Sequence, residues 1–126
     1  MAAKILLVED NEMNRDMLSR RLVRRGYEVA LALDGEQGVA MARSEMPALI
    51  LMDMSLPGLD GWEATRRLKG QPETKHIPII VVTSDTSEKS REKAFDAGCD
   101  EYETKPVNFE KLIKKIHSLL SRSSKA

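Results

Sequence analysis

Short β-rich apolar runs alternate along this chain with segments of helical period, which predicts repeated strand-then-helix units. Lys4 to Val8 reads as the first strand. A helix follows from Asn11 to Arg25, with Met17, Leu18 and Leu22 on one face and Gly26 as its C-terminal stop. Tyr27 to Leu31 reads as the second strand, and Asp34-Gly35 turns into a second helix that runs through Glu45 and is ended by Pro47. Ala48 to Met52 is almost wholly apolar, as a strand buried on both faces requires. A third helix spans Gly61 to Lys69, strand four Ile79 to Val82, and the fourth helix Ser87 to Ala97. After Gly98 a short polar strand leads to Lys105-Pro106, and the last helix carries Phe109, Leu112, Ile113, Ile116, Leu119 and Leu120 at helical spacing. Five such units, without linker or internal repeat, predict one α/β domain over residues 1–126, wound as a (βα)5 three-layer sandwich. Its core is expected at about residues 3–121, with 122–126 a frayed tail.

Four of the apolar runs stop at a polar residue able to take part in phosphoryl chemistry: LLV before Glu9 and Asp10, LILM before Asp53, IIVV before Thr83, and a weaker run before Lys105. In an open parallel α/β sheet the ligand crevice lies beyond the carboxyl ends of the strands, so these residues would meet at one site. Three carboxylates sharing a crevice repel unless something neutralises them, and a hard divalent cation does so. Mg²⁺ takes one or two carboxylates and fills its shell with water and phosphate oxygens, which suits an open acidic cluster. Lys105 supplies a positive charge for phosphate oxygens and Thr83 a hydroxyl. A carboxylate so surrounded can attack phosphorus and form an acyl phosphate, and Asp53 is the best nucleophile candidate, away from the acidic pair and followed by the loop MSLPGLDG.

Composition narrows the setting without supplying the site. The 126 residues are 41% apolar and 32% charged, enough for one core. Twenty Lys plus Arg balance twenty Asp plus Glu, so no overall charge draws the chain to nucleic acid or membrane. Arg20, Arg21, Arg24 and Arg25 cluster, but without interleaved aromatics they read as a solvated helix face. The single Cys99 excludes an intramolecular disulfide and reads as a small buried hydrophobe in a reducing compartment. MAAKILLVED holds too short an apolar stretch for a signal peptide, and no run spans a membrane, so a cytoplasmic location is expected. The methionines at 13, 17, 41, 46, 52 and 54 are expected to fill gaps in the core, those near the first helix also serving a docking partner.

Taken in order, ILLVEDN, LILMDMSLPGLDGWE, IPIIVVTS and AGCDEYETKPVN resemble the receiver domain of two-component response regulators over nearly the whole chain. The resemblance implies a flavodoxin-like strand order 2-1-3-4-5, with Asp53 as phosphoacceptor and Asp10 and Asp53 as Mg²⁺ ligands. It implies that Glu9 acts through water and that the Ser55 main-chain carbonyl completes the metal shell. Lys105 would contact the phosphoryl group, Thr83 would swing towards it, and Tyr102 matches the family's switch aromatic. The Lys105-Pro106 bond is expected to be cis. Ser84 and Asp85 depart from the commonest pattern, and Asp85 falls at a position that tunes dephosphorylation in this family. The implied partners are a sensor histidine kinase or histidine phosphotransfer protein and an unknown downstream protein, with no nucleic acid or membrane, the chain being a monomer or weak dimer.

Each residue also has a plainer reading. Glu9, Asp10, Asn11 and Glu12 suit the start of a helix, Thr83-Ser84 suits another, and Asp60-Gly61 is turn chemistry. Tyr102 alone reads as a half-buried aromatic and Lys105 as a surface lysine beside a turn proline. The alternatives in function are a phosphorelay intermediate, a phosphate sink, or a Mg²⁺-dependent aspartyl phosphohydrolase. Against the last stands Ser55 two residues after Asp53, where haloacid-dehalogenase-like phosphatases carry a second aspartate. A flavodoxin-like FMN binder is disfavoured because the acidic crevice would repel its phosphate.

Overall fold

The computed structural model describes residues 2–54 and 58–124, with side chains through Arg122. Ten elements alternate without exception: β1 Lys4–Val8, α1 Glu12–Arg24, β2 Glu28–Ala32, α2 Gly35–Glu45, β3 Leu49–Asp53, α3 Gly61–Lys69, β4 Ile79–Thr83, α4 Glu88–Asp96, β5 Glu101–Thr104 and α5 Phe109–Ser124. The five strands pair in parallel in the order β2-β1-β3-β4-β5.

Side-chain alternation splits the apolar strands between two cores. Ile5, Leu7, Leu49, Leu51 and Ile80 pack with Leu18 and Leu22 of α1 and Leu112, Ile116 and Leu119 of α5. Leu6, Val8, Ile50, Met52, Ile79 and Val81 face the other way, towards Val39 and Ala42 of α2, Ala64 and Leu68 of α3 and Ala94 of α4. The central strands β3 and β4 are buried at every position, which is why their sequences read as unbroken apolar runs.

Several predicted boundaries shift, each for a hydrogen-bonding reason. Tyr27 lies in the turn that follows α1, its N–H donating to Leu22 O, and β2 instead runs on to Ala32, whose carbonyl accepts from Glu9 N–H at 3.1 Å. Strand β3 shifts by one residue, to Leu49–Asp53, and β4 extends by one, so Asp53 and Thr83 are the last residues of their strands rather than the first beyond them. Met54 N–H still donates to Val82 O, and Lys105 N–H to Thr83 O. The predicted ends of α1 and α4 are their caps: Asn11 Oδ1 accepts from Asn14 N–H, and Ser87 Oγ accepts from Ser90 N–H. Gly26, at φ +93°, takes the left-handed position that ends α1. Helix α5 continues through Ser124, because Ser-Arg-Ser-Ser contains no glycine or proline to stop it.

The methionines divide. Met52 and Met54 are buried, but Met13, Met17 and Met46 are exposed and fill no core gap, since they fall on outer helix faces or the turn after α2. Cys99 is buried. No described helix is long and apolar enough to cross a membrane.

Candidate functional site

The two-residue period of β3 decides where Asp53 faces: Leu49 and Leu51 pack on the side of α1 and α5, and Asp53 follows them. Glu9 follows β1 on the adjacent strand, and both carboxylates are almost fully buried, at 2% and 3% exposure. Lys105, just beyond β5, places its Nζ 3.3 Å from Asp53 Oδ1 and 3.3 Å from Glu9 Oε1. Its peptide bond to Pro106 is cis. Asp10 is exposed, yet its carboxylate gathers with those of Glu9 and Asp53 so that one oxygen from each lies within 4.8 Å of the others.

Burial pushes the Glu9 carboxyl up to about 7, helped by hydrogen bonding to Asp53 and by that residue's charge and opposed by the Asn11 N–H and the Lys105 ammonium. Glu9 is therefore the acid of the cluster whose charge is most strongly opposed by its surroundings. Burial disfavours the charge on Lys105, but Asp53 and Glu9 together outweigh it and hold the ammonium above its ordinary value. Three carboxylate oxygens this close fit a hard divalent cation such as Mg²⁺. Glu9, Asp10 and Asp53 are the residues that would hold it.

Thr83, Asp85 and Tyr102 are linked to one another beyond the end of β4. Thr83, buried at the end of β4, accepts the Asp85 N–H on its Oγ1 at 3.1 Å. The Asp85 carbonyl in turn accepts the Tyr102 hydroxyl at 2.6 Å, so the backbone of one residue, Asp85, joins the threonine to the tyrosine. Lys115 of α5 donates to the Tyr102 carbonyl at 2.6 Å. Asp85 itself is exposed and not part of the acidic cluster, its carboxylate accepting from Ser87 N–H at 2.9 Å. That bond holds its carboxyl below the usual carboxylate range. Ser55 lies outside the described residues.

Beside Glu9 and Lys105 opens a groove of about 540 Å³, walled by Met17, Leu18, Pro106 and Val107 and edged by Asn14 and Arg21. Arg15, which no sequence motif singled out, donates through Nη1 to the carbonyls of Glu9 and Asp10 at 3.0 and 3.3 Å. Its spacing, four residues past the Asn11 cap, was the available signal.

A parallel sheet of order 2-1-3-4-5 with an acidic crevice at its carboxyl edge defines a doubly wound α/β protein whose crevice suits a metal ion. Residues 5–117 match the response regulator receiver domain, and the chain belongs to that family. It is 40% identical to the protein PilH of Pseudomonas aeruginosa over 119 residues, 94% of this chain and 98% of that one. It is 36% identical to the polar-differentiation response regulator DivK of Brucella anthropi over 120 residues, covering 95% and 98% of the two chains. With the response regulator PleD of Caulobacter vibrioides it shares 37% identity over 94% of its own length, but spans only 26% of that protein. The receiver domain of the sensor histidine kinase PA1611 from Pseudomonas aeruginosa, solved with magnesium coordinated in its active site cleft, superposes with a TM-score of 0.89 at 36% identity, covering 96% and 99% of the chains. The chemotaxis protein CheY4 of Vibrio cholerae gives a TM-score of 0.88 at 31% identity, over 94% and 99%.

Proposed function

We propose that this receiver domain is a phosphorylation switch in which Asp53 accepts a phosphoryl group from a histidine kinase or a histidine phosphotransfer protein and the protein changes a partner-binding face in response. The observation that carries the reading is the convergence of Lys105 on both Asp53 and Glu9 beside Asp10, a nucleophile already surrounded by the charges that phosphoryl transfer needs.

Bound Mg²⁺ would neutralise charge on the acids and on the phosphoryl oxygens. The chain's own groups do the rest. An Asp53 carboxylate oxygen forms a bond to phosphorus as the P–N bond of the phosphohistidine donor breaks. The electron pair leaves on the imidazole nitrogen, which takes up a proton from solvent. The Lys105 ammonium holds a phosphoryl oxygen, and the groove along Met17, Leu18 and Val107 receives the donor's apolar surface.

Thr83 offers the second contact. Its hydroxyl oxygen accepts from Asp85 N–H, and the carbonyl of that same residue anchors Tyr102, so drawing the hydroxyl to a phosphoryl oxygen disturbs the residue on which the tyrosine rests. The phosphoryl group shifts the population of the two arrangements by its differential affinity for them. Asp85, with its exposed carboxylate at the start of α4, tunes the lifetime of the phosphorylated state.

Incubation with acetyl phosphate and MgCl₂, followed by intact mass, tests the reading. A single slowly decaying phosphoryl adduct on the wild type and none on Asp53→Asn is the expected result. Multiple turnover of phosphate esters without an adduct would instead make the protein a phosphohydrolase.

A further inference from the structure

The segment between β1 and α1 carries two of the three acids, and the Arg15 side chain bonds the carbonyls of both. Arg15 N–H donates to Asn11 O at 2.9 Å, and its Nη1 donates to Glu9 O at 3.0 Å and Asp10 O at 3.3 Å. Three consecutive carbonyls thus accept from a single residue one turn inside α1. No other described residue bonds all three, and the sheet and helix ladders leave the Glu9 and Asp10 carbonyls to it.

What Arg15 avoids matters equally. Among the described residues it forms no ion pair with Glu9 or Asp10, so it adds positive charge and rigidity near the acids without occupying their carboxylate oxygens. A guanidinium fork suits this task, since it presents several donors in a fixed plane, whereas a lysine offers one point charge on a flexible stem. The guanidinium is half-buried, where such bonds hold better than on an open surface.

We propose that Arg15 is a positioning residue for the cation site: by clamping the carbonyls of Glu9 and Asp10 its guanidinium aims their carboxylates at Asp53 and so sets the affinity for Mg²⁺. The inference rests on the reading of Glu9, Asp10 and Asp53 as metal holders. Groups that orient metal ligands typically govern affinity by about 10- to 100-fold, although they never touch the ion.

Titration of the ¹⁵N-labelled protein with MgCl₂, followed by amide shifts and with no phosphodonor present, measures the affinity. Arg15→Gln is expected to bind Mg²⁺ about tenfold more weakly than wild type. Arg15→Lys should stay weakened despite retaining the charge. Wild-type affinity in Arg15→Gln, or full recovery in Arg15→Lys, overturns the clamp. Metal-free amide exchange provides an arm that needs no cation: the Asn11 N–H, bonded to Glu9 Oε2, should exchange faster in Arg15→Gln, and unchanged exchange there overturns the clamp. Absence of any Mg²⁺-dependent shift in wild type, or wild-type binding by Asp10→Asn, sinks the metal reading instead and leaves the exchange result to judge Arg15.

Discussion

The Lys105 ammonium lies 3.3 Å from Asp53 Oδ1, across 52 positions of sequence, and the same nitrogen reaches Glu9. Lys105 is therefore the hinge of the metal-free site's charge balance. Replacing it by Met leaves two buried carboxylates without their cation, and breaking such a pair costs about 3–5 kcal/mol when fully buried. The lysine side chain is 25% exposed, so a loss of about 1–3 kcal/mol is expected at pH 8 in EDTA, read by urea denaturation. Asp53→Asn should have the opposite sign under the same conditions, because it removes one of the crowded charges.

Glu9 makes stability depend on pH in a stated direction. Its carboxyl is raised from 4.5 to about 7 in the folded protein, so the folded state binds the proton more tightly than the unfolded chain. The stability this contributes is fully present below pH 4.5 and is lost as pH rises to about 7. Two and a half pK units correspond to about 3 kcal/mol. Urea midpoints in EDTA across this window should fall more steeply for wild type than for Glu9→Gln, and parallel curves would refute the assignment. Saturating MgCl₂ should flatten the wild-type slope, since a metal competes with the proton.

Gly61 opens α3 directly against the backbone of the proposed phosphoacceptor. A Cβ at this position would stand 2.4 Å from Asp53 O and 2.8 Å from Met54 Cα. Backbone cannot retreat as a flexible side chain can, so Gly61→Ala is expected to destabilise by about 1–3 kcal/mol. Its adduct formation with acetyl phosphate should slow as well, because the displaced atoms are those of Asp53.

Cys99 should be chemically silent. Burial, chiefly, pushes its thiol up to about 12, with Asp100 and Glu101 adding to the effect. Iodoacetamide at neutral pH should label it only after unfolding, and rapid labelling of the native protein would contradict its place in the core.

Much of this was legible in the sequence because parallel strands buried on both faces announce themselves. LILM and IIVV are apolar at every position, and the polar residue ending each run marks the carboxyl edge of the sheet. The receiver family was readable for the same reason, its motifs being those strand ends. What escaped was set by hydrogen bonds that pattern does not encode. Asp53 and Thr83 sit inside their strands because the ladder continues through neighbouring backbone. The exposure of Met13 and Met17 was hidden because methionine suits a core gap and a helix surface alike. Arg15 escaped because its side-chain partners are carbonyls, and a carbonyl has no signature in sequence. Tyr102 could be matched to a motif, but its bond to the Asp85 carbonyl depends on how the loop after β4 turns.

The central claim is that Asp53 takes the phosphoryl group. Borohydride reduces an aspartyl phosphate to homoserine, which marks the modified position permanently. Treating the protein with acetyl phosphate and MgCl₂, reducing, digesting with trypsin and fragmenting the peptide from Ser44 to Arg66 distinguishes Asp53 from Asp60 within one spectrum. The account predicts homoserine at 53 and unmodified Asp60. Homoserine at any other aspartate, or none after an adduct has been seen by intact mass, would contradict it.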